Sequence, residues 1–274
     1  MFQDEPFYEV RVWLVTDGRI VVELKIGSLA VQRLEPRIGH GTKQEVPLFF
    51  KKFVQCQIIV GGLEILRHGV LHGRVYGKNI ELVKTLRETL GDDYEIMFDA
   101  YSGWDQDYAL EWARRVEQYR PFWMEEVTHP EKIDSFAAIR QGTTVPLAAG
   151  EHFYGRWEVE RYLQARTLSV VQADPEWCGG VSELMKIGTV ASLHDVRVIP
   201  HGHSLRAAVH TILSQSPMTF PLGEYLVTKM RHYHHFEKNP PVLEQAHIAA
   251  PTGPGFNVQL DETKIESQKL LTVS

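Results

Sequence analysis

Six apolar stretches in this chain each end in an acid or a histidine. They are YEIMFD ending at Asp99, PFWME at Glu125, VPLAAGE at Glu151, LSVVQAD at Asp174, VRVIPH at His201 and PLGE at Glu224. The ends are 26, 26, 23, 27 and 23 residues apart. A buried strand takes about five or six residues, and a covering helix with two loops takes about twenty. The period is therefore that of a chain of βα units. Side chains fit for acid–base or metal chemistry at the same end of successive strands are the arrangement of a (β/α)-barrel active site.

The segments between these ends support the same reading. Ile80, Val83, Leu86 and Leu90 have helical spacing and are closed by Gly91. Asp105 opens a helix with Tyr108, Ala109, Trp112, Ala113 and Val116 on its apolar side. Further helices are expected after Pro130 and over 157–165, 181–193 and 205–214, with a last strand at 221–226. Upstream, residues 8–14 and 19–26 alternate around Asp17-Gly18, which predicts a β-hairpin. Gln44–Val54 suits a short helix and Gln57–Leu66 a strand. The expected fold is α/β: a (β/α) barrel of TIM type, modified, with seven to eight strands and a partial N-terminal α+β capping segment. The expected division is a partial capping domain over 1–56, the barrel over 57–230, and a C-terminal tail over 231–274 packing on cap and barrel. Residues 227–274 are expected to be mostly irregular, with a short hairpin near 248–260.

Composition narrows the function. A formal charge of −6, without a basic cluster, argues against nucleic acid as a partner. Apolar runs are strand-sized, so no membrane span is expected. Residues 1–20 carry acids and arginines through the apolar pattern, unlike a signal peptide. Two distant cysteines, Cys56 and Cys178, make no disulfide framework, and the cytoplasm is the expected location.

Asp99, Glu125 and Glu151 would stand side by side at three adjacent strand ends. Three ionised carboxylates in one cleft repel one another and lose hydration. A hard divalent cation removes that cost, and an all-carboxylate set suits Mg²⁺. Asp174 and His201 come from the next two ends. A carboxylate bonded to one imidazole nitrogen orients the ring and raises its basicity, so the pair reads as a general acid/base dyad. Glu224 is placed to bond a substrate carboxylate or hydroxyl.

The stretches FDAYSGWD, FWMEEV, GEHFYGRWEV, QADPEWCGG, PHGH and GEYL resemble the barrel of the enolase superfamily, in its mandelate racemase branch. They are most similar to acid-sugar dehydratases of the L-rhamnonate dehydratase type. The resemblance covers roughly residues 61–260. It implies that Asp99, Glu125 and Glu151 hold Mg²⁺, that Asp174 and His201 form the dyad, and that Glu224 polarises or positions the substrate carboxylate. It also implies substrate-binding places for His152, Trp177 and His203, a small-molecule sugar-acid partner, and a homo-oligomer. The implied reaction removes the proton α to the carboxylate of an aldonate and expels the β-hydroxyl, giving a 2-keto-3-deoxy acid. Many relatives carry a lysine base on the barrel's second strand, where GGLEILRHG offers Leu63 and Glu64. A one-base dehydratase is thus expected over a racemase or epimerase. A catalytically defective metal-binding relative is the third reading, since the cap and the first barrel strand find no full counterpart.

Overall fold

The computed structural model describes residues 9–16, 19–20, 24–25, 53–58, 76–244, 247–267 and 269. Strand β1 (Glu9–Thr16) pairs antiparallel with β2 (Arg19–Ile20) and with β3 (Leu24–Lys25), as the alternating pattern predicts. Strand β4 (Phe53–Ile58) pairs antiparallel with β1 and parallel with β5 (Glu95–Asp99). The hairpin therefore extends the edge of the main sheet. The strand expected over 57–66 begins at Phe53 instead, which also overturns the end of the helix expected over 44–54. Leu63 and Glu64, at the position of the relatives' lysine base, lie outside the described residues.

From β5 onward the parallel order follows the sequence: β6 (Trp123–Glu125), β7 (Leu147–Ala149), β8 (Val170–Val171) and β9 (Arg197–Val198). Helices alternate with them. They are α1 (Tyr76–Leu90), α2 (Gln106–Val116), α3 (Ile133–Gly142), α4 (Arg156–Gln164), the one-turn α5 (Pro175–Cys178), α6 (Val181–Ser192) and α7 (Leu205–Ser214). This is the (β/α) barrel of TIM type that the strand-end series predicts. Asp105 caps α2 by accepting the Tyr108 N–H at 2.8 Å. No described helix is long and apolar enough to cross a membrane.

Two clusters of buried side chains explain why the strands are apolar on both faces. One lies between sheet and helices and joins Ile96, Phe98, Met124, Leu147, Val171 and Val198 to Trp112, Phe136, Ile139, Val159, Leu184 and Ile187. The other fills the inside of the barrel with Met97, Trp123, Ala148, Val170, Ile199 and Leu222, one from each successive unit. Side chains alternate along a strand. Asp99, Glu125, His201 and Glu224 each lie two residues beyond a member of that interior layer, and so emerge from the same face at the strands' C-terminal ends.

Three expectations change. Residues 221–226 form no ladder strand: Pro221 has no N–H to give, and isolated bonds join this part of the chain to β9 and the residues after it, Val198 N–H to Thr219 O and Glu224 N–H to Pro200 O. Residues 227–233 are a helix, α8, rather than irregular chain; Leu226 and Met230 pack on Leu205 and Val209 of α7. The C-terminal hairpin is β10 (Leu243–Glu244) with β11 (His247–Ile248), and Glu237 pairs with Leu260 further on.

Candidate active site

Asp99 and Glu125 are direct cross-strand partners in the parallel register of β5 and β6. Glu151 belongs to the next unit but falls out of the alternation, because Ala148 is interior and Glu151 lies three residues on. Gly150 corrects this. Its φ of +132° turns the chain, and a Cβ there would stand 3.0 Å from the Gln172 backbone nitrogen. The turn swings the Glu151 carboxylate inward, where its Oε2 lies 2.5 Å from His201 Nε2.

All six strand-end residues are buried: Asp99, Glu125, Glu151, Asp174, His201 and Glu224. Glu125, Glu151 and His201 each offer a ligand atom within 4.8 Å of the others, and so do Glu126, Glu151 and His152. Asp99 is in neither group. Of the three carboxylates expected at adjacent strand ends, Glu125 and Glu151 converge with His201, and Asp99 stands on β5 as the cross-strand partner of Glu125.

The electrostatics follow from burying several acids together beside imidazoles. Burial, then the nearby Glu151, push the Asp99 carboxyl up to about 8. Burial also raises Glu125 well above the usual carboxylate range, helped by Glu224, Asp99 and Glu151. Burial works the same way on Glu151, but its bond to His201 and the positive field of the neighbouring histidines bring it below its ordinary value. Burial disfavours charge on the His201 ring too; the bond to Glu151 and the charges of Glu224, Glu151 and Asp174 outweigh it and hold the ring up at about 9.

The Asp174–His201 dyad takes a different form from the one expected. Asp174 accepts the backbone N–H of Gly202 at 2.9 Å and of Ser204 at 3.1 Å, and it caps α5 through the Glu176 N–H at 2.9 Å. It anchors the loop that carries His201. The imidazole itself faces Glu151 through Nε2 and His203 through Nδ1, at 3.1 Å. Glu224 accepts from the Gln172 amide at 2.6 Å.

The three expected substrate-binding residues rim this centre. His152 bonds Glu126 through Nδ1 at 2.9 Å and approaches Glu151 through Nε2 at 3.5 Å. Trp177 meets His152 edge-on, with ring centroids 5.5 Å apart, and meets Tyr154 edge-on at 6.0 Å. His203 stacks near His201 and meets Tyr233 of α8.

Residues 60–264 match the model of the family described as enolase C-terminal domain-like. The chain belongs to that family. Within it, the chain is 31% identical over 215 residues to the L-rhamnonate dehydratase of Saccharopolyspora erythraea, covering 74% of this chain and 53% of that one. It is 29% identical over 194 residues to the D-galactarolactone cycloisomerase of Agrobacterium fabrum, covering 67% and 51%. A mandelate racemase/muconate lactonizing enzyme-like protein from Rubrobacter xylanophilus superposes with a TM-score of 0.65 at 29% identity, over 71% of this chain and 50% of that chain. A racemase from Streptomyces coelicolor, solved with bound magnesium, superposes at 0.62 and 25% identity, over 69% and 50%. The chain spans about half the length of the relatives it matches.

The enolase-type donor set suits a hard dication. Carboxylates dominate it, and burial followed by the neighbouring acids forces those of Asp99 and Glu125 upward. Two buried residues escaped the sequence reading. Gln172 lies two residues after interior Val170 and two before Asp174, so alternation alone could have found it. Glu126, the second acid of FWMEEV, holds His152 from a left-handed backbone with φ of 40°. A doubled acid gives no sign of which member meets His152.

Proposed function

We propose that this chain carries the barrel of a Mg²⁺-dependent acid-sugar dehydratase acting on an aldonate such as L-rhamnonate. The observation that carries the reading is one buried imidazole, His201, pointing its Nε2 into a cluster of buried carboxylates that includes Glu125 and Glu151. Such a base can remove a weakly acidic proton only where the charge it creates is neutralised nearby.

Asp99, Glu125 and Glu151 would hold Mg²⁺. When bound, it supplies positive charge to the substrate carboxylate as a Lewis acid. Everything else falls to the chain. Glu224 orients the substrate by hydrogen bonds, and Gln172 holds the Glu224 carboxylate in place. With the ring neutral and its Nε2 released from Glu151, His201 takes the proton from the carbon α to the carboxylate at Nε2, and the C–H electron pair moves into the carboxylate. The C–O bond to the β-hydroxyl then breaks, and the proton on Nε2 leaves with that oxygen as water. The enol so formed tautomerises to a 2-keto-3-deoxy acid. Asp174 fixes the loop from which His201 works, and His152, Trp177 and His203 form the rim.

Incubating the protein with a panel of aldonates, with and without Mg²⁺, tests this reading. A 2-keto-3-deoxy acid should accumulate with the metal only. Solvent deuterium entering C2 without loss of water would replace dehydration by racemisation or epimerisation.

A further inference from the structure

We infer that Gln172 is a positioning residue that ties the metal-side carboxylate Glu125 to the substrate-side carboxylate Glu224. Gln172 follows β8 directly and is fully buried. Its amide nitrogen donates to Glu224 Oε1 at 2.6 Å. The same side chain bonds the carboxyl of Glu125, two strands away in the sheet. Glu125 also receives the indole N–H of Trp123 at 3.2 Å. Between them, Gln172 and Trp123 give this carboxylate a fixed orientation, while Gln172 does the same for Glu224.

The other end of the amide supports the assignment. Gln172 Oε1 is buried and has no hydrogen-bond partner among the described residues. A buried acceptor left unmatched destabilises the fold, and such atoms are retained where a function needs the group. Here the amide is turned so that its donor side meets two acids at once. An acid could not do this without adding a further negative charge. A hydrocarbon would leave Glu125 and Glu224 facing each other with no shared donor. Groups that orient metal ligands from behind change metal affinity when removed, by about 10–100-fold.

The inference rests on the dehydratase reading only for its substrate side; the metal side stands independently. Calorimetric Mg²⁺ titration of Gln172→Met, Gln172→Asn and Gln172→His, each checked for native fold by circular dichroism, tests it. Met matches the volume without a donor, Asn keeps the donor one methylene short, and His restores an N–H at similar reach. The dissociation constant for Mg²⁺ should rise about 10–100-fold in Gln172→Met and Gln172→Asn, and recover most of that in Gln172→His. If Gln172→Met does not fold, Gln172→Asn decides alone against Gln172→His. Folded Gln172→Met or Gln172→Asn with unchanged Mg²⁺ affinity would overturn the inference, as would equal weakening in all three, which marks a packing role. With an aldonate that is turned over, KM should rise more than kcat falls in Gln172→Met. Failure to find any such substrate leaves the metal titration intact and counts against the dehydratase reading only.

Discussion

Glu151 Oε2 and His201 Nε2 lie 2.5 Å apart, so the same carboxylate that would hold the metal also engages the nitrogen that would take the proton. Loss of the imidazole should therefore separate metal binding from chemistry. In His201→Asn, Mg²⁺ affinity measured by calorimetry should stay near the parent value or tighten, since Glu151 is released. Turnover should fall by about 10²–10⁴, the usual contribution of a general base.

Asp174 is expected to act on the same base through the backbone. Its carboxylate accepts N–H groups from Gly202, Ser204 and Glu176 while fully buried. Asp174→Asn should cost about 1.5–3 kcal/mol in urea unfolding, the range for buried hydrogen bonds to a charged group. A variant as stable as the parent would contradict the anchoring role.

Gly202 joins the two ends of the site. Its φ is +92°, and a Cβ there would overlap the carbonyl of Glu224. Gly202→Ala combines backbone strain with a clash against the segment that carries Glu224. It should lower stability by about 1–3 kcal/mol from the strain alone, and weaken substrate binding as Glu224 is pushed aside. Equal melting temperatures for the two proteins would argue against this geometry.

Acid should loosen the C-terminal segment through Glu237. Burial raises this carboxyl, but its bonds to Arg206 of α7 and to His234 at 2.7 Å overcome that and leave it below 4.5. The folded value is the lower one. The stabilising contribution is thus complete above the unfolded value near 4.5 and disappears as pH falls through the folded value. Urea unfolding from pH 7 down to 3 should show a steeper loss for the parent than for Glu237→Gln, the two curves converging at the acid end.

The ordering of strand ends was legible because interior and exterior positions alternate, and because only one face of each strand ends in a chemical group. Asp99, Glu125, Asp174, His201 and Glu224 follow directly from that rule. The helix over 205–214 was read to the residue, since its apolar spacing runs unbroken from Leu205. Other features depend on partners distant in sequence. Phe53 and Val54 end a run whose spacing suits a helix, and pairing with β1 and β5 makes them part of the strand Phe53–Ile58 instead. PLGEYL looks like a strand, yet Pro221 removes a donor and the segment binds β9 through isolated bonds. The Asp174–His201 relationship was read as side chain to side chain. The loop after His201 turns two backbone N–H groups toward Asp174 instead, which no residue pattern records.

The central claim is proton abstraction by His201 from an acid sugar beside a metal held at the carboxylates. Its most direct measurement is Mg²⁺-dependent release of a 2-keto-3-deoxy acid from an aldonate panel, run in parallel on the parent and on His201→Asn. The account predicts product with the parent and Mg²⁺, none without the metal, and none with folded, Mg²⁺-binding His201→Asn. No turnover of any aldonate by intact, Mg²⁺-loaded protein, or undiminished turnover by His201→Asn, would contradict it.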